Sequence, residues 1–409
     1  MRTSSPKTTS MGYIDAAPRV GAADHHPSLC APPDDRAEIE FVLGVMTTEK
    51  RTAWRESVRK SFFRFALPTT VFKLVLRGMN ASQAVRDEAR LHQDTIFLAS
   101  SATLPASTGP LVSSLQWLQC AAHAWPRSQF IGKAEDDVWL HVPDVLASLR
   151  ASRATLVANH NVSDLYWGAL ESYYWNETAQ RPFGFNQRPS WNPSLLLEPA
   201  CALNVQGNAS RSSGLIRMDP AAVQHGPFVF AKGPLYVLSR SLAQRLGSDE
   251  ATLARAEAAL ETAGTRKFGG HGGTPQTAQS FIWEDVFLGY ALSRLDSPPP
   301  NVGVVSLSFS QYIEEWGFNA APTTLVWHAK TKDESRPPRL HAYLTTTGGQ
   351  HCDRRAASRP RCRATDHKLR GGSCTGGRWV FCTEDKDPGC SEKRIDFNKL
   401  VHVRTQVKK

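Results

Sequence analysis

The sequence predicts an α/β fold, a Rossmann-type, mostly parallel sheet flanked by helices, and three observations carry that prediction. Between residues 38 and 133, short apolar runs alternate repeatedly with segments of helical period. The connections are short, as in β-α units whose parallel strands need covering helices. The chain has 409 residues, 41% apolar and 21% charged, which is ample for a large core.

The first strand is predicted over Glu38–Met46 from the run Phe41-Val42-Leu43-Gly44-Val45-Met46. Arg51–Phe65 follows as a helix with Trp54, Val58, Phe62 and Phe65 on one face. Thr70–Leu76 reads as a strand, Ser82–His92 as a charged helix and Asp94–Ala99 as a strand. Gly109-Pro110 opens a helix with Leu111, Leu115, Leu118 and Ala122 at helical spacing, closed by Pro126. Gln129–Lys133 is the fourth strand, and Glu135-Asp136-Asp137 follows it as a strand-to-helix connection, with Pro143 in the first turn of the next helix. Residues 176–215 read as a long loop. Phe228–Leu238 is strand-like but broken by Gly233-Pro234, a helix starts at Ser239, another ends near Leu295, and Val302–Leu307 is a further strand.

This divides the chain into a disordered segment (1–36), one folded domain (37–332) and a basic, cysteine-rich extension (333–409). Of the net charge of +10, +8 lies in the last 59 residues, which hold 15 Lys/Arg against 7 Asp/Glu. A basic end on a near-neutral body points to local contact with an acidic surface, a membrane or a glycan. With no recognisable nucleic-acid motif, that partner is set aside.

Cys30, Cys120 and Cys201 are scattered, while Cys352, Cys362, Cys374, Cys382 and Cys390 crowd the extension without a C-x-x-C pair. Disulfides in an oxidising compartment fit this pattern better than zinc. Four N-x-[ST] sequons, at Asn80, Asn161, Asn176 and Asn208, point the same way. No run of 18 apolar residues exists to span a bilayer, and residues 1–36 lack the apolar core of a signal peptide. Either the chain is truncated at its N-terminus, or the secretory reading is wrong.

Four clusters could carry chemistry. The acid triplet is either a solvated turn or a site for a hard divalent cation. Glu284-Asp285 is either a helix cap or a base held in a partly apolar pocket. His328 is either structural or a metal ligand. Arg55 and Arg59, one helical turn apart, form either a solvated face or a diphosphate clamp.

Taken together, these stretches resemble a known family. Arg55-Glu56-Ser57-Val58-Arg59-Lys60-Ser61-Phe62 resembles an R-x-x-[IV]-R-x-[ST]-W element, with Phe62 in place of Trp. Phe130–Val138 is similar to a strand ending in D-D-D-V, with Glu135 for the first Asp. Leu165-Tyr166-Trp167-Gly168, Phe230–Ser239, Glu284–Gly289 and Leu325-Val326-Trp327-His328 resemble Y-x-G, G-x-x-Y-V-L-S, E-D-V-x-x-G and L-V-H motifs in the same order. The order is that of glycosyltransferase family 31, the β-1,3-galactosyltransferase and hexosyltransferase group, over roughly residues 38–332.

The resemblance implies a GT-A-like fold. It also implies inverting transfer of a hexose, galactose foremost, from a UDP-sugar to a glycan or glycoprotein hydroxyl, giving a β-1,3 linkage with Mn²⁺ as cofactor. Asp137 and His328 would ligate the ion, and Glu135 and Asp136 would face the ribose and uridine. Arg55 and Arg59 would border the donor cleft. Asp285 would be the base, with Gly233, Tyr236, Trp283 and Glu284 on the acceptor side. The implied location is the Golgi lumen in association with the membrane. The alternative is a secreted carbohydrate-binding protein that keeps the fold without turnover.

Overall fold

The computed structural model describes residues 38–78, 80–99, 109–176, 181–187, 224–256, 284–295, 301–307, 311–314, 324–328, 334–335, 337–338, 361–366 and 378–383. The first elements run in the expected order: β1 (Phe41–Thr47), α1 (Thr52–Lys60), a 3₁₀ turn (Phe62–Phe65), β2 (Thr70–Arg77), α2 (Gln83–His92), β3 (Thr95–Leu98), α3 (Gly109–Ala124) and β4 (Phe130–Glu135). β5 (Val138–Leu140), α4 (Val142–His160), β6 (Asp164–Asn176), β7 (Arg181–Gln187), β8 (Gln224–Ser239) and α5 (Arg240–Ser248) follow. α6 (Glu284–Ser293), β9 (Val302–Ser306), β10 (Tyr312–Glu314), β11 (Val326–His328), β12 (Arg361–Asp366) and β13 (Arg378–Thr383) complete the set.

The main sheet has the order β12-β13-β9-β6-β8-β4-β1-β2-β3, with β7 paired to β6. β4, β1, β2 and β3 are parallel, as the β-α alternation predicts. Between β4 and β6 the chain inserts β8 antiparallel to both, and β9 resumes parallel to β6. The result is a mixed, mostly parallel sheet with helices on both faces. β12 and β13, which fall in the segment expected to form the extension, pair with each other, and β13 lies parallel to β9 at the sheet's end.

Side-chain alternation along the strands divides the core in two. On one face Val42, Ile131, Tyr166, Tyr236 and Leu238 pack with α3, α5 and α6 through Leu115, Leu242, Leu246 and Phe287. On the other, Phe41, Leu43, Val45, Phe130 and Val237 meet α1, α2 and α4 through Val58, Val85, Val145 and Leu149.

Two expectations need correction. The segment read as a loop from residue 176 contains strand β7. The acid triplet does not lead directly into a helix, because β5 intervenes and joins a second sheet of order β10-β11-β5. β5 is too short to show a period in the sequence, and it is stabilised by a partner far along the chain.

Candidate active site

The triplet sits at the carboxyl end of β4, where ligands bind in open α/β sheets. Glu135 is the last residue of the strand, and Asp136-Asp137 make the turn into β5. β5 pairs antiparallel with β11, with Val138 opposite His328. This pairing brings His328 beside Asp137. Its Nε2 lies 3.5 Å from Asp137 Oδ1 and 3.9 Å from Glu135 Oε2.

Glu135, Asp137 and His328 each offer one ligand atom, all within 4.8 Å of one another. Asp137 Oδ1 and His328 Nδ1 are buried with no hydrogen-bond partner among the described residues. Two carboxylates and an imidazole with unused polar atoms fit a divalent cation such as Mn²⁺. Glu135, expected at the ribose, thus groups with the expected ligands.

Asp136 turns the other way. It is 2% exposed, accepts a 2.6 Å bond from Thr47 Oγ1 at the end of β1, and pairs with Arg51 Nη2 at 2.9 Å. Burial pushes its carboxyl up to about 7 against the pull of Arg51 and Thr47. For Asp137 burial also pushes upward, but the His328 contact and the Arg51 charge outweigh it and hold its pKa below the usual carboxylate value.

The second half of the site is built around a bulge. Along β6 and β8, Gly168 pairs with Tyr236 and Leu170 with Ala231, so Lys232-Gly233-Pro234-Leu235 stand opposite the single residue Ala169. Gly168 makes room for the bulge, since a Cβ there would lie 2.7 Å from the Ala231 Cβ. Gly233 is pushed forward into the site. Its N–H donates to Asp285 Oδ2 at 2.8 Å, while Asp285 Oδ1 accepts the Val286 N–H at 2.8 Å. A Cβ on Gly233 would meet both Asp285 Oδ2 and Glu135 Oε1 at 3.4 Å, so one methyl group would touch the carboxylates of both clusters. Burial and the neighbouring Glu284 raise Asp285 to about 7, against the pull of the Gly233 N–H and Lys133.

Glu284 and Tyr236, expected to line the acceptor side, are occupied beneath the site. Tyr236 is fully buried and its hydroxyl donates to Glu284 Oε1 at 2.6 Å. Glu284 Oε2 accepts from Lys133 Nζ at 3.1 Å. Trp283 lies outside the described residues.

The structure also moves the arginine pair away from the expected cleft. Arg55 is fully buried and donates to Glu88 through Nε at 2.8 Å and Nη2 at 2.6 Å, and to the carbonyls of Thr48 and Glu49. Arg59 donates to Asp94 at 2.7 and 3.0 Å and to Glu88 at 2.7 Å. Both tie α1 to α2 through Glu88, and Arg59 also reaches Asp94 before β3, so they brace the frame. The arginine at the triplet is Arg51, which reaches Asp136 and Asp137 and stacks its guanidinium 5.0 Å from the Trp54 ring centroid.

Arg51 and Lys133 are the residues that pattern reading missed. Lys133 carried a usable signal, because a lysine within a buried strand must find counter-charge. Arg51 carried none, since it precedes α1 as one of three similarly spaced arginines.

No protein-family model matches this sequence, and no curated protein matches it. Among solved structures, the chain is similar to mouse xyloside xylosyltransferase 1 in its apo form, at 12% identity over 71% of this chain and 97% of that one, with a TM-score of 0.33. It is similar to the bifunctional glycosyltransferase WbbM, apo, at 9% identity over 80% of this chain and 53% of the other, with a TM-score of 0.36. A glycosyltransferase involved in glycosylation of the major capsid of PBCV-1 matches at 8% identity over 74% and 98%, with a TM-score of 0.31. Superpositions this loose carry no argument about chemistry.

Proposed function

We propose that this chain is an inverting, metal-dependent glycosyltransferase. It moves a hexose, galactose foremost, from a UDP-sugar to a hydroxyl of a glycan or glycoprotein, forming a β-1,3 linkage. One observation carries the reading: a cluster suited to a cation and a carboxylate suited to a base meet at the same glycine, with one Cβ position 3.4 Å from both. The hexose and linkage rest on the motif resemblance.

Glu135, Asp137 and His328 would hold the cation, Mn²⁺ on this reading, which would supply positive charge against the diphosphate and the departing UDP. Arg51 balances the remaining acidic charge of Asp136 and Asp137 from the other side. Asp285, fixed by two backbone N–H groups, takes the acceptor hydroxyl proton as that oxygen bonds to the anomeric carbon. The bond from that carbon to the diphosphate oxygen breaks with its electron pair passing to UDP. Attack from the face opposite UDP inverts the centre. A carboxyl raised to about 7 matches this task near neutral pH.

Golgi residence belongs to the same proposal. The disulfide at Cys120 and the exposed sequon residues Asn80 and Asn161 support this reading, since disulfides persist mainly in oxidising compartments. No helix among the described residues is long and apolar enough to cross a membrane.

The test is UDP release from a panel of UDP-sugars with Mn²⁺, with and without EDTA and with mixed α- and β-glycoside acceptors. Acceptor- and metal-dependent release, highest with UDP-galactose, is expected. Glycan binding without UDP release would favour the non-catalytic alternative.

A further inference from the structure

We infer that Lys133 is a positioning residue: by clamping the Gly233 carbonyl, it sets the acceptor-side base Asp285 in register with the donor-side carboxylates. The inference rests on the transfer reading above. Lys133 lies on β4 two residues before Glu135, so both side chains leave the same face of the strand. The residue is 1% exposed. Its ammonium has three donors and meets an oxygen on each of three elements. These are the Gly233 carbonyl at 2.7 Å on the bulge of β8, Glu284 Oε2 at 3.1 Å on α6, and Glu135 Oε1 at 3.5 Å at the end of β4.

Fold stability alone does not account for a lysine here. Replacing a buried ion pair with well-packed apolar side chains is often neutral or stabilising. The shortest of the three contacts is also not to a carboxylate. It goes to the carbonyl of the glycine whose N–H holds Asp285 Oδ2.

Gly233 is followed by Pro234, which fixes φ and has no N–H of its own. It lies in a bulge where four residues face one, and among the described residues it has no ladder partner on β6 or β4. Held by Lys133 on one side and Asp285 on the other, the Gly233 backbone has one setting. Without the ammonium, both the Gly233 carbonyl and Glu284 lose a donor, and the bulge can drift from Glu135. A shift of about 1 Å in such a group costs on the order of 100-fold in rate.

The test compares Lys133→Met, Glu284→Gln and the double variant with the parent chain. Four quantities are read: the thermal midpoint, Mn²⁺-dependent UDP binding by calorimetry, amide exchange of the peptide containing Gly233, and transfer kinetics. Lys133→Met is expected to lower kcat about 100-fold, with acceptor KM and UDP affinity within about threefold, and to speed exchange at Gly233. The double variant, which removes both charges of the Lys133–Glu284 pair, is expected to regain the thermal midpoint while kcat and Gly233 protection stay low.

Recovery of kcat together with the midpoint in the double variant would show that Lys133 only balances charge, and would overturn the inference. Unchanged Gly233 exchange in Lys133→Met would do the same, as would UDP affinity falling as far as kcat. If Lys133→Met fails to fold, the double variant still decides. A parent chain that transfers from no UDP-sugar overturns the transfer reading instead, and Gly233 exchange still decides the role of Lys133.

Discussion

The two acidic clusters follow one plan and end in opposite electrostatic states. In each, adjacent carboxylates sit at the end of a regular element, and one member is locked beneath the site. Asp136 is held by Thr47 and Arg51, and Glu284 by Lys133 and Tyr236. Their neighbours face the cleft under different influences. Asp137 has an imidazole and a guanidinium close by and is held below its ordinary pKa, so it stays ionised and available as a ligand. Among the described residues Asp285 has only backbone donors at bonding distance, with a like charge beside it, so burial wins and lifts it to about 7. Adjacent acids therefore do not define a role. The balance between burial and the charges and donors around each one does.

The sharpest way to break this comparison is to neutralise the base. Asp285→Asn keeps the size and can still accept from the Gly233 N–H, so transfer should fall about 10³-fold while Mn²⁺-UDP binding stays near the parent value. Steady-state kinetics beside calorimetry read both, and transfer at the parent rate would sink the assignment. Asp137→Ala should give the converse pattern. Metal-dependent UDP affinity should fall about 100-fold and the rate with it, so titration of Mn²⁺ against UDP release separates the two carboxylates.

A third variant separates site from frame. Glu88 is pulled down to about 2, chiefly by the Arg55 hydrogen bond. It favours the fold above its unfolded pKa of about 4.5, and that contribution is lost as pH falls toward 2. Glu88→Gln leaves the buried Arg55 short of a counter-charge and should cost about 3 kcal/mol in urea unfolding at pH 7, with kcat nearly unchanged. A large loss of kcat at full stability would return Arg55 to the donor cleft.

The smallest effect is graded. With Mn²⁺ saturating, kcat/KM should fall about tenfold per unit below pH 7 as Asp285 takes up its proton, and Asp285→Asn should flatten that limb. Stability runs the other way. A carboxyl raised from 3.8 to about 7 binds its proton more tightly in the folded state, so its contribution is present below pH 3.8 and is lost as pH rises through 7. The loss is therefore complete in the pH range that switches the base on.

Much of the frame was legible in the sequence because strand and helix periods are local. Phe41–Met46, Thr70–Leu76 and Leu111–Ala122 declare their buried faces within a few residues, and they fall within β1, β2 and α3. The same local logic placed Glu135-Asp136-Asp137 at a strand end. Among the site residues, Asp137, His328, Gly233 and Asp285 stand in the motifs, and the fold gathers them around Glu135 in one cluster. Glu284 and Tyr236 were named for the cleft but lie beneath it, because only packing decides which of two adjacent side chains points inward.

The sequence by itself determined the α/β alternation, the two acidic clusters and the glycine between them, since each is written in neighbouring residues. Tertiary structure decided the partners. It chose Arg51 over Arg55 and Arg59 for the triplet, set His328 opposite Val138, and gave Lys133 its three oxygens. Those choices depend on the antiparallel insertion of β8 between β4 and β6 and on the pairing of β5 with β11. Contacts between distant segments form only once the sheet order is fixed, and no local period encodes that order.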